Sequence, residues 1–140
     1  PRRDYSMSLE KENTSRDYLY GRLLAIAENV ESYALYIAGD NKRMTTAERY
    51  MQRFADRPFS TWRNIELALQ PYQERLHNNG KSTGKQAIDE IMLLFKSEDF
   101  IRDDKLSGEF LLGYHCQRKA LSDQIATYQA NKQDGKETTK

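Results

Sequence analysis

Cysteine is almost absent from this sequence, with Cys116 the single example in 140 residues. An internal disulfide is therefore excluded, so packing alone has to hold the fold, and the usage suits a reducing cytosol. Three prolines and seven glycines leave few breakpoints. Alternating β-branched residues are nearly missing, which argues against a sheet. No apolar run approaches the roughly 20 residues of a spanning helix, so no membrane partner is expected. The polar N-terminus carries no signal-peptide pattern. Pro1 fits either a removed initiator methionine or a segment cut from a longer product, and Met7 is a second candidate start. The net charge of +1 does not by itself announce a polyanion partner.

The charge is nevertheless unevenly placed. Residues 40–85 carry nine Lys and Arg against five Asp and Glu, whereas residues 86–110 carry three against seven. A segment at +4 beside one at −4 gives a dipolar layout. The basic part is suited to a polyanion, the acidic part to solvent or a neighbouring subunit.

Helix formers dominate the rest, and the hydrophobic spacing predicts an all-α, compact bundle of about five helices. Residues 1–13 read as a polar N-terminal arm, residues 14–130 as one helical-bundle domain, and residues 131–140, which lack apolar side chains, as a disordered tail. The first helix begins near Ser15, with Thr14 or Ser15 as N-cap. Its stripe is Leu19, Leu23, Ile26, Val30, Tyr33 and Ile37. The second starts with a capping box at Thr45-Thr46-Ala47-Glu48, turns Ala47, Tyr50, Met51 and Phe54 inward, and stops before Pro58. The third runs from Phe59 to His77 on Trp62, Ile65, Leu69, Tyr72 and Leu76, with a kink expected at Pro71. The fourth spans Lys85 to Lys96, with Ile88, Ile91, Met92 and Phe95 inward. Asp103 or Asp104 is expected to cap the fifth, which extends to about Ala130 and turns Phe110, Gly113, Tyr114, Gln117, Leu121, Ile125 and Tyr128 to one side. Of the nine tyrosines most fall on apolar faces; Tyr5, Tyr20 and Tyr36 read as less buried and available for stacking or an interface.

Three stretches invite a chemical reading. His115-Cys116 has the residue types of a nucleophile and its base, but neighbours on a helix point about 100° apart and do not face each other. With one cysteine, and His77 alone at a helix end, the four ligands of a zinc site are not in evidence. A half-buried helix face is the favoured reading; no metal, cofactor or catalytic residue is expected. Gly80-Lys81-Ser82-Thr83-Gly84-Lys85 has the composition of a phosphate loop but neither its register nor a preceding strand. It reads as a flexible loop whose Lys81 and Lys85 offer weak phosphate contacts. Arg49, Arg53 and Arg57, spaced by four, share one face of the second helix, with Lys42 and Arg43 just before them. Like charges at that spacing repel, so stability does not ask for them. The ladder is either a phosphate-backbone track without base specificity or a solvated face neutralised by the adjacent Glu48–Gln52–Asp56 row.

Tyr18-Leu19-Tyr20-Gly21-Arg22-Leu23-Leu24-Ala25 with Glu28, then Asn41 followed by Ala47-Glu48-Arg49-Tyr50-Met51, then Leu112-Gly113-Tyr114 with Gln117-Arg118, form an ordered set. In this order and spacing they resemble the C-terminal region of the large subunit of the type I-C CRISPR surveillance complex, Cascade. In that system the same coding region also yields a separate small subunit from an internal start, and a chain of this length resembles that subunit. The likeness covers about Tyr18 to Leu121. The family's last motif commonly reads Gly-Tyr-Tyr-His-Gln-Arg; here Tyr114 is followed by His115, and Cys116 takes the usual histidine place. Glu48 stands where Asp is common.

The resemblance implies a non-enzymatic helical subunit that works in more than one copy. Its partners are the large and backbone subunits, the crRNA–target DNA heteroduplex and the displaced strand. It helps hold the R-loop open, guide pairing reads the sequence, and a recruited helicase-nuclease cuts. Arginine's planar fork suits phosphate contact. Arg22, Arg49 and Arg118 are the cations inside the matching motifs. They serve either phosphate contact, Arg118 with Lys119, or pairing with acids such as Glu28 across helices. Lys42, Arg43, Arg53 and Arg57 are placed nearer to nucleic acid than Arg22. Two other readings compete: a purely structural adaptor between protein subunits, and a small enzyme using His115 and Cys116.

Overall fold

The computed structural model describes residues 8–40 and 44–138, and the side chains of 8–40 and 44–124. The fold is all-α, and no strand occurs among the described residues. Helix α1 spans Arg16–Ile37. Ser15 caps it from extended backbone, its hydroxyl accepting the Tyr18 amide at 3.3 Å. The same hydroxyl donates to Glu109 Oε1 at 2.7 Å, so one side chain ties the start of α1 to the start of the last helix. Fourteen of the 22 residues of α1 are buried. That is more than one stripe can hold: Tyr20, Ala25 and Ala27 are covered as fully as Leu19 and Leu23. α1 is therefore the central helix, wrapped on several sides. Each fully buried Leu or Ile contributes roughly 2 kcal/mol of transfer free energy.

The elements around it are α2 (Thr46–Arg49), α3 (Met51–Asp56), α4 (Pro58–Asn78), α5 (Lys85–Met92), α6 (Ser97–Ile101) and α7 (Glu109–Thr138). The capping box at Thr45 forms in full. The Glu48 amide donates to the Thr45 hydroxyl, and Glu48 Oε1 accepts the Thr45 amide at 2.9 Å. The expected second helix is broken, however. Tyr50 leaves helical geometry at φ −101°, ψ 9°, and splits it into α2 and α3. Its ring packs on the core while the ring of Phe54 is fully buried, so the chain bends to seat both. The fourth helix stops at Met92 rather than Lys96, and α6 forms in the stretch expected as loop. Pro71 sits within a continuous α4.

Asp103 departs from its expected role at the fifth helix. It accepts the Ser60 amide at 3.0 Å and the Ser60 hydroxyl, capping α4, whose own N-cap, Arg57, supplies no side-chain bond. Near the start of α7 the Ser107 hydroxyl accepts the Glu109 amide at 3.3 Å instead. α7 also runs on to Thr138, through the segment expected as a tail. Apart from Gly135 that segment is rich in residues that tolerate a helix, and it contains no proline.

Tyr20, read as less buried, is completely enclosed. Its ring packs against Phe54, Phe95 and Phe100, and further ring contacts join Phe59 and Phe110, so all five phenylalanines belong to one aromatic cluster. The Tyr20 hydroxyl donates to the Phe100 carbonyl, which satisfies its one polar atom and raises no cost of burial. Tyr36 is 66% exposed, as expected. Among the described residues no helix is long and apolar enough to cross a membrane.

Candidate nucleic-acid interface

The three arginines of the ladder are all exposed. The break at Tyr50 means they do not line one face of a single helix. Arg49 closes α2, Arg53 lies in α3, and Arg57 follows α3 in non-helical backbone at φ −142°, ψ 76°. Each is held differently. Arg49 donates from Nη1 to the Met44 carbonyl and from Nη2 to the Thr46 hydroxyl, both at 3.3 Å. The Arg53 guanidinium stands 5.0 Å from the centre of the Tyr50 ring. Arg57 lines an open hollow with Asp56, Asp103, Asp104 and Lys105. Burial pushes Asp103 up, but the Ser60 hydroxyl and amide and the nearby Arg57 charge hold it below the ordinary carboxylate range.

None of the ion pairs among the described residues includes Arg49, Arg53 or Arg57. The Glu48–Gln52–Asp56 row therefore forms no ion pair with the ladder. Glu48 is committed to the Thr45 amide and hydroxyl, which hold its carboxyl below the ordinary range, with Arg118 adding attraction. Sequence reasoning overlooked Arg63. It is exposed on α4, takes part in no ion pair among the described residues, and stands 5.7 Å from the centre of the Phe59 ring. No other cation lies three or four positions away on α4 to mark it in the sequence.

The other cations are held differently. Lys42 and Arg43 fall outside the described residues. Lys81 and Lys85 are exposed at the turn between α4 and α5, which is tied to α4 by Gln73 and to α1 by the packing of Gly84 on Val30. Lys119 pairs with Asp123 on its own helix at 2.7 Å. Arg118 pairs with Glu28 at 3.3 Å and stacks 5.4 Å from the Tyr114 ring centre. Arg22 is half-buried and donates from Nε to Gln117 at 2.8 Å; burial lowers its pKa. Both sit in the junction between α1 and α7.

That junction gathers the first and third sequence motifs. A Cβ on Gly21 would strike the Phe110 carbonyl oxygen and lie 2.6 Å from the Tyr114 amide nitrogen. A Cβ on Gly113 would strike the Tyr18 carbonyl. The two glycines thus let the backbones of α1 and α7 touch, each helix using its glycine against the other. Around this contact Arg22 meets Gln117, and the Tyr114 hydroxyl donates to Glu28 at 2.7 Å. Burial and then the Glu28 bond push the Tyr114 phenol well above its usual range. Tyr18, pushed up to about 12 mainly by burial, accepts the Glu10 amide at 2.9 Å and neighbours Cys116. Cys116 is fully buried here, whereas His115 is exposed and packs its ring on Tyr114. The two side chains therefore occupy different environments rather than facing each other.

A family model described as CRISPR-associated protein (Cas_Csd1) matches residues 1–122. A search among curated proteins gives no match.

Proposed function

We propose, from the chain's membership of the CRISPR-associated Csd1 family, to which it belongs, that it is the small subunit of a type I-C Cascade. In this reading it is a non-catalytic, cytoplasmic subunit that grips nucleic-acid backbone and stabilises the R-loop. Its partners are the crRNA–target DNA heteroduplex, the displaced DNA strand, the large and backbone subunits, and a second copy of itself. The observation that carries the reading is the edge formed by α2, α3 and the start of α4. There Arg49, Arg53, Arg57 and Arg63 are exposed and take part in no ion pair among the described residues. Guanidinium groups outside ion pairs remain available for phosphate, and phosphate contact carries no sequence information. That suits a subunit that must accept any guide-matched target. Arg22 and Arg118 work as struts of the α1–α7 junction, and Lys119, Lys81 and Lys85 contribute peripheral charge at most.

The test is charge reversal of Arg49, Arg53 and Arg57 in the assembled complex. R-loop formation weakens and the salt slope of target binding falls by roughly 2, the value for three contacts to single-stranded nucleic acid. Unchanged target binding at moderate salt rejects the edge as the interface.

A structural adaptor is the second reading, favoured by a different observation. Leu93 and Ile101, 85% and 63% exposed, stand in the acidic part of the chain and offer an apolar surface for another protein. A crosslinking map of the assembled complex separates the two, because the adaptor reading allows no crosslink from the arginine edge to nucleic acid.

A further inference from the structure

Glu31 is the only buried acid among the described residues, at 1% exposure. Its Oε1 accepts the Thr46 amide at 3.0 Å; its Oε2 has no hydrogen-bond partner. It takes part in none of the ion pairs among the described residues. A buried carboxylate with one oxygen unsatisfied and no cation beside it is a net cost to folding, and an apolar residue of similar shape would pack more favourably. Stability therefore does not account for it.

Its position does. Thr46 is the first residue of α2, and the Thr46 hydroxyl accepts from Arg49 Nη2. The Met44 carbonyl, two residues earlier, accepts from Nη1. A short line of bonds thus runs from the core of α1 through Glu31 and Thr46 to an exposed guanidinium. These two bonds occupy two of the five N–H groups of Arg49 and leave three for a ligand. We propose that Glu31 is a positioning residue: by fixing the first turn of α2 it aims the free edge of the Arg49 guanidinium outward for a phosphate oxygen. The proposal rests on the interface reading above and names the buried group that sets its geometry.

The experiment is a double-mutant cycle on the full chain, with a mixed-sequence single-stranded DNA oligonucleotide as probe, titrated at several salt concentrations. Arg49→Ala lowers the salt slope by about 0.7. Glu31→Met removes the acceptor but keeps the volume. It weakens binding about five- to tenfold when Arg49 is present and has no effect in the Arg49→Ala background. Glu31→Gln keeps an acceptor for Thr46 and binds within about twofold of the parent. An equal loss from Glu31→Met in both backgrounds overturns the inference alone. Binding unchanged by Arg49→Ala overturns it together with the interface reading. Thermal midpoints verify folding, and should Glu31→Met not fold, a tenfold loss in the folded Glu31→Gln variant is by itself sufficient to overturn the proposal.

Discussion

The α1–α7 junction and the α2–α3 edge use arginine in opposite ways. At the junction Arg22 and Arg118 are spent on Gln117, Glu28 and the Tyr114 ring, around two glycines that bring backbones into contact. At the edge Arg49, Arg53 and Arg57 stand exposed; Arg49 is supported by a carbonyl and a hydroxyl and Arg53 by a tyrosine ring, and none has a carboxylate within ion-pair distance among the described residues. The difference teaches that a cation inside a recognisable motif need not be a working cation. Motif residues concentrate where geometry is least forgiving, which is the glycine crossing. Arg53, Arg57 and Arg63 lie outside the motifs, and under the proposed function that is expected, because a phosphate contact tolerates many placements of a charge.

The contrast is easiest to break at its rigid side. Gly113→Val puts branched carbon into the Tyr18 carbonyl, and a shift of α7 is the only relief. Loss of at least about 4 kcal/mol is expected, enough to abolish cooperative unfolding in a chain of this size, as calorimetry would record. Reversing Arg49, Arg53 and Arg57 together should do the converse. The thermal midpoint stays within a few degrees, because exposed cations away from ion pairs add little stability.

Smaller effects sharpen the comparison. Tyr20→Phe removes the bond to the Phe100 carbonyl inside the aromatic cluster and leaves that acceptor unpaired. It should lower stability by about 1–2 kcal/mol in urea titration. Arg118→Ala, half exposed and paired with Glu28, should cost under about 1 kcal/mol and leave nucleic-acid affinity nearly unchanged. A loss of affinity matching that of the edge variants would erase the distinction between the two regions.

The smallest predicted effect is on pH. Glu48 and Asp103 sit below the ordinary carboxylate range when folded, through the Thr45 and Ser60 bonds respectively. Groups whose folded pKa is depressed stabilise fully above the unfolded value and lose that contribution as pH falls through the folded one. Thermal midpoints should therefore be level above about pH 5 and decline below about pH 4. Glu48→Gln or Asp103→Asn should flatten part of that decline; an unaltered slope would show that these caps are not coupled to stability.

Much of this architecture was legible from local pattern. Ser15 and the Thr45 box announced helix starts because capping depends on residues within one turn. The inward rows of α4 and α5, and that of α7 as far as Leu121, followed from spacing. Asp103 was misassigned because a cap can be supplied across space, here to Ser60 from a loop 43 positions later. Tyr20 reads as less buried in the sequence because a single stripe is assumed for α1. Nothing in the chain's periodicity states how many sides of a helix will be covered. The edge was legible in part: the spacing drew attention to three arginines, but their shared face was lost to the turn at Tyr50, and Arg63 had no partner in sequence to mark it.

By itself, then, the sequence determined the all-α character, most of the helix starts and many of the inward residues, since hydrogen bonding within a turn and the 3.6-residue period are local properties. Only the tertiary structure decided which arginines are neutralised, where Asp103 and Glu31 place their oxygens, and that Cys116 is buried while His115 is not. Those outcomes depend on groups distant along the chain meeting in a core of low dielectric, where an ion pair, a ring or an unsatisfied oxygen acquires its energy.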